Sequence, residues 1–112
     1  MIETIVLNYL ADNLSVPVFM EEPEERCREY VLIEKVGSSE NDRIQSATVA
    51  VQSYAESLYK SAVLNDTVKR AMRDIVVLDS VSSCRLNSDY DFTDTETKRY
   101  RYQAVFDLTY YD

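Results

Sequence analysis

The first apolar positions of the chain recur at helical spacing. Ile2, Ile5, Val6, Tyr9 and Leu10 fall at i, i+3, i+4, i+7 and i+8, which predicts a helix over residues 2–13 with one buried face. Val16–Met20 reads as a short extended segment, and Pro17 assigns it to a sheet edge or a strand start. Glu21-Glu22-Pro23-Glu24-Glu25 is a charged loop with nothing to contribute to a core. Tyr30–Val36 is an apolar run expected to form a strand covered on one face and partly shielded on the other. Residues 37–43 (GSSENDR) have turn composition. Ile44–Ser53 follows, with Ala47, Val49 and Val51 alternating against Thr48 and Gln52, so the two runs make a hairpin with a long polar tip.

The main helix is expected over residues 54–76. Ala55, Leu58 and Ala62 start its apolar face, and Val68, Met72 and Ile75 continue it. The stripe drifts, and Asn65-Asp66-Thr67 in the middle suggests a broad face, a bend or a cap. Val76–Leu86 is a strand leading into an acidic turn. The last strand sets Tyr100, Tyr102, Ala104, Phe106, Leu108 and Tyr110 on one face and Arg99, Arg101, Gln103, Val105, Asp107 and Thr109 on the other. Its length and aromatic character lead to the expectation of a sheet edge or an assembly surface. The fold class that follows is α+β: a mostly antiparallel four- to five-stranded sheet with two helices packed on one face, in a single domain over residues 1–112.

Composition narrows the chemistry. A chain of 112 residues buries about 65% of its unfolded surface, enough for a core without metals or disulfides. No apolar run approaches the ~18 residues of a membrane span, and the first residues lack the features of a signal peptide. Cys27 and Cys84 are expected as reduced, partly buried thiols of a cytoplasmic protein. The net charge of −8 argues against phosphate-driven nucleic-acid binding and against an anionic membrane partner. Histidine is absent, which removes the commonest general base and metal ligand. One glycine, Gly37, excludes a glycine-rich phosphate loop.

The candidate chemistry is correspondingly thin. Asp89, Asp91, Asp94 and Glu96 alternate in DYDFTDTE, but a helix-flanked calcium loop needs a glycine at its sixth position and a glutamate at its twelfth, and this stretch has neither the glycine nor the helices. No metal, cofactor or catalytic residue is expected, and no carboxylate pair stands out among so many acids. Arg26 and Arg28 flank Cys27, yet no histidine is present to activate the thiol. Lys98, Arg99 and Arg101 interleave with Tyr100 and Tyr102 in the manner of a stacking nucleic-acid strand, but the acids from Asp89 to Glu96 crowd their approach. The expectation there is a strand with one charged face and one aromatic face. Nine tyrosines favour protein contacts, with Tyr90, Phe92, Tyr110 and Tyr111 as candidates.

Three stretches, YVLIEKVGSS, IQSATVAVQSYAESLYKSAVLNDTVKRAM and LNSDYDFTDTETKRYRYQAVFDLTYY, resemble the small tail-component proteins of long-tailed bacteriophages and prophages. These are the tail terminator or head–tail joining proteins, also labelled minor capsid or tail-completion proteins. The resemblance extends over about Ile2 to Tyr111 and is one of pattern, with no catalytic motif.

The resemblance implies an antiparallel sheet with two helices and a structural, non-enzymatic role. It implies a ring, commonly a hexamer, on the end of the tail tube, with the tail tube protein and the head–tail connector protein as partners. It places the protein in the host bacterial cytoplasm during assembly and in the virion tail afterwards. DNA would pass through such a ring without specific binding, and an acidic lumen lined by residues 21–25 or 89–96 would keep it from sticking. The expected contacts are the hairpin tip (Ser38, Ser39, Glu40, Asn41, Asp42, Arg43) and the acidic turn (Asp89, Tyr90, Asp91, Phe92, Asp94, Glu96). To these are added Arg99, Arg101, Tyr110 and Tyr111, with pairing of the Tyr100–Tyr110 edge to a neighbouring subunit as a further route. A head-completion protein and a small cytoplasmic protein-binding adaptor remain open alternatives, and a metal-dependent carboxylate hydrolase is the weakest.

Overall fold

The computed structural model describes residues 1–25 and 27–111. Its elements are α1 (Ile2–Asn13), β1 (Val18–Phe19), β2 (Tyr30–Asn41), β3 (Ile44–Ala55), α2 (Leu58–Arg73), a 3-10 turn (Ile75–Val77), β4 (Val81–Asp91) and β5 (Tyr100–Tyr110). The five strands form one sheet in the order β1-β2-β3-β5-β4. β1 runs parallel to β2, and every other pairing is antiparallel. The expected element order and the α+β class therefore stand.

Both helices pack on the same sheet face, because one set of strand positions carries most of the large apolar side chains. Ala47, Val49 and Val51 of β3 lie opposite Leu108, Phe106 and Ala104 of β5, and all six are buried in one cluster. Ile2, Val6 and Leu10 of α1 and Leu64, Val68 and Met72 of α2 close over them. The Tyr9 hydroxyl donates to the Ala71 carbonyl at 2.7 Å and so ties the two helices together. α2 starts where Ser57 caps it, its Oγ accepting from the Lys60 amide, a device worth about 1 kcal/mol. No helix among the described residues is long and apolar enough to cross a membrane.

Four sequence expectations are corrected. The helix expected over residues 54–76 is shorter: Tyr54 and Ala55 complete β3, and the alternation of Thr48, Ala50, Gln52 and Tyr54 outlasts the first helical residues. Asn65 is no cap but a buried mid-helix residue that donates to Asp89 at 3.3 Å. The strand expected over 76–86 instead begins at Val81 and runs to Asp91, because residues 75–77 wind as a 3-10 turn. Most consequentially, the Tyr100–Tyr110 strand is not an edge: β5 is paired with β3 on one side and β4 on the other. Both of its hydrogen-bonding edges have sheet neighbours, so the proposed edge pairing through it is removed, and Tyr110, at 3% exposure, is a core residue.

Candidate interaction surfaces

The polar segment expected as a turn is instead mostly paired strand. β2 and β3 stay paired as far as Asn41↔Ile44, and only Asp42 and Arg43 make the turn, with φ of 51° and 70°. Two successive left-handed residues match the right-handed twist of a tight hairpin. Residues 34–44 are all exposed, but β3 is paired with β5 from Gln45↔Tyr110 onward and Ala47, opposite Ser38, is buried, so the segment is the outer margin of the sheet and only its tip extends past β5. The ladder is broken once, between Lys35 and Gly37, which leaves Val36 out of register and 65% exposed. Ser38, Ser39, Glu40, Asn41, Asp42 and Arg43 thus lie along one exposed stretch of the sheet margin, and Lys35 just before it meets Glu3 of α1 at 3.7 Å.

The second polar segment does different work. Asp89 sits on the helix face and is ion-paired to Lys69 of α2, so it fastens β4 to the helix. Asp91 accepts from the Thr93 amide, and Asp94 from the Glu96 amide. Hydrogen bonds from Thr93 hold the Asp91 carboxyl below its usual range, and those from Thr97 and the Glu96 amide do the same for Asp94. These acids build their own turn in the usual manner of aspartate. Among the described residues no group of three or more acids, cysteines or histidines is placed to hold a metal. Glu96 is exposed.

From this turn a strap crosses the sheet face that the helices leave open. The Arg101 guanidinium donates to the Phe92 carbonyl at 2.6 Å and to the Tyr54 hydroxyl at 2.8 Å, and lies 4.4 Å from the Phe92 ring centroid. Tyr54 stacks on Tyr30, with centroids 4.4 Å apart and planes 7° from parallel, and Phe19 meets Tyr30 edge-on. Arg99 sits 5.0 Å from the Tyr54 centroid and is bonded to Glu22 and to the Tyr30 hydroxyl. Burial pushes the Glu22 carboxyl up, but the hydrogen bonds from Tyr30 and Arg99 outweigh it and the net shift is down. Burial, reinforced by the bond to Glu22, pushes the Tyr30 hydroxyl up. Gln52 donates to Gln103 at 2.9 Å and Gln103 to Tyr90, carrying the network across β3, β5 and β4.

Arg99 and Arg101 were expected as contacts. Within the chain they pack over Tyr54, Tyr30 and Phe92 and bond to Glu22, the Tyr30 and Tyr54 hydroxyls and the Phe92 carbonyl. Tyr90, Phe92 and Tyr111 are exposed at 42%, 39% and 53% and keep apolar surface at the molecular boundary. Sequence reading missed Phe19, Tyr30, Gln52, Tyr54 and Gln103. The signal was the alternation of Thr48 and Gln52 continuing to Tyr54, where the sequence reading ends the strand at Ser53 and begins the helix.

A third surface lies between α1 and the end of α2. It is an open groove of about 1140 Å³ lined by Ile5, Tyr9, Val76, Val77 and Leu78, with Asp12, Arg70 and Asp74 among its polar residues. Val76 and Val77 are 48% and 74% exposed, a large apolar exposure for one 3-10 turn. No family model matches this sequence, and no curated protein matches it.

Proposed function

We propose that the protein is a structural component of a phage or prophage tail: a ring-forming tail terminator that caps the tail tube and joins it to the head connector. A head-completion protein is the nearest alternative. The observation that supports this reading is the outer edge of β2. β1 pairs only with Val31 and Leu32, and residues 34–41 of β2 are all exposed beyond it. An open strand edge of this length is a template for pairing with a neighbouring subunit. The residue pattern described above supplies the kind of assembly. In a hexameric ring the chain would contact itself, the tail tube protein and the connector, and DNA would pass through the lumen without specific recognition. The site of action would be the host cytoplasm during assembly and then the virion tail.

Electron microscopy of particles from a phage or induced prophage lacking this chain tests the reading. Overlong, headless tails beside filled heads are expected of a terminator. Tails of normal length that fail to join heads would move the role to joining or completion. Normal infectious particles would overturn it.

A further inference from the structure

We infer that the outer edge of β2 in one copy pairs with the outer edge of β4 in a second copy, so that the two sheets run on as one. This names the self-contact that the proposed ring requires, and so rests on that reading. Among the described residues the sheet ends in β4 on one side, and on the other β1 leaves β2 uncovered from Glu34 to Asn41. The two edges fit in direction. Each pairing from β2 through β3 and β5 to β4 is antiparallel, so β2 and β4 run opposite ways. A copy set alongside in the same orientation therefore offers its β4 antiparallel to β2, the arrangement of every long pair already in the sheet.

The edges also fit in side chains. The ladders align Lys35 with Val49, Val49 with Phe106 and Phe106 with Leu86. A second copy at the same level brings its Leu86 beside Lys35 and Val36, at the step in the β2 ladder. Val36 is 65% and Leu86 46% exposed in the single chain, and the pairing covers each with the other. The same ladders align Gly37 with Thr48, Asp107 and Arg85. Arg85 of the second copy then lies over Gly37, where the space for a side chain is open, and diagonal to Glu34 on the same face. Charge agrees: residues 34–41 carry Glu34, Lys35 and Glu40, with Lys35 engaged by Glu3, whereas Arg85 is the one charge of residues 81–88. Pairing like edges is the worse match. β2 against β2 about Gly37 sets Glu34 opposite Glu40, and β4 against β4 about Arg85 sets two guanidinium groups together. The contact therefore joins two different edges and leaves each pair of copies with one free β2 and one free β4. Such a head-to-tail contact closes into a ring when its rotation allows, and otherwise continues as a filament.

The test is sedimentation of the full chain over a concentration series, with Val36→Asp on the β2 edge and Leu86→Asp on the β4 edge. Both side chains are exposed, and circular dichroism checks that each variant folds. The wild-type chain is expected to self-associate beyond dimers, and each variant to weaken this at least about tenfold. An equimolar mixture of the two variants is expected to form a dimer and stop there, since only one intact β2 edge and one intact β4 edge face each other. A charge exchange gives a second readout: Glu34→Arg and Arg85→Glu should each weaken association about threefold, and the two together in one chain should restore it. The inference is overturned if either aspartate variant associates as tightly as the wild type, if the mixture stays monomeric, if the charge exchange restores nothing, or if the wild type is monomeric up to about 1 mM. If such a result comes with overlong tails in particles lacking the chain, the edge pairing is wrong and the tail role stands. Normal particles would remove the tail role whatever sedimentation gave.

Discussion

Replacing Arg101 with alanine detaches the strap from the sheet, and its cost follows from what the guanidinium touches. It donates to the Phe92 carbonyl at 2.6 Å and to the Tyr54 hydroxyl at 2.8 Å. Hydrogen bonds from a charged donor contribute ~1.5–3 kcal/mol when buried, and Arg101 is only half-buried, so about 1 kcal/mol each is the reasoned value. The stack on Phe92, 4.4 Å from the centroid, adds about 0.5–1 kcal/mol. The expected loss is ~2–3 kcal/mol, or about 10 °C in Tm for a chain of this length. Urea unfolding followed by circular dichroism measures it. Arg101→Lys keeps the charge but loses the fork, and should recover less than half. A double-mutant cycle with Tyr54→Phe should give a coupling of about 1 kcal/mol. Hydrogen exchange should quicken at the Phe92 amide, which donates to the Arg101 carbonyl at 2.9 Å. A loss below about 0.5 kcal/mol, or no coupling to Tyr54, would refute the strap as a stabilising element.

The remaining predictions concern acid, thiol and core. Glu22, Asp91, Asp94 and Asp107 all have lowered carboxyl pKa values against ordinary values of 4.5 and 3.8. For Asp107 the cause is hydrogen bonds from Asn87 and Thr48. A folded state that binds protons less tightly than the unfolded one holds this contribution above the unfolded values and loses it as pH falls through the lower folded ones. Tm should therefore be flat above pH ~5 and fall steeply below pH ~4, and Asp107→Asn should flatten that fall. Burial, with the charge of Asp107, pushes the Cys84 thiol from 9.0 to about 11. At pH 8 its thiolate should be about 100-fold scarcer than in the unfolded chain, and alkylation followed by mass spectrometry should find it correspondingly slow; rapid native modification would contradict its packing. Leu10, fully buried in the core, should cost about 2–5 kcal/mol as alanine, and a smaller loss in urea unfolding would mean that α1 repacks.

The alternation and helical spacing of apolar side chains are written residue by residue, and they set the order of elements here. Burial of one strand face requires that periodicity, so Ala47, Val49 and Val51, like Ala104, Phe106 and Leu108, declare their face before any partner is known. The composition of residues 37–43 likewise indicated a polar, exposed excursion. Where pairing ends was not written there: only the two left-handed residues Asp42 and Arg43 turn, and the serines before them continue a ladder whose partners are supplied by β3. Strand order was equally illegible. An amphipathic strand looks the same at an edge or in the centre, because its own residues do not reveal how many neighbours will satisfy its backbone groups. Tertiary structure decided that β5 lies between β3 and β4, and so made Tyr110 core. It also gave Arg99 and Arg101 partners within the chain, because Tyr30 and Tyr54 arrive beneath them from strands 47 or more residues away along the chain. Local periodicity fixes which side of an element is buried, whereas only long-range packing decides which polar groups find partners inside the molecule and which are left for another.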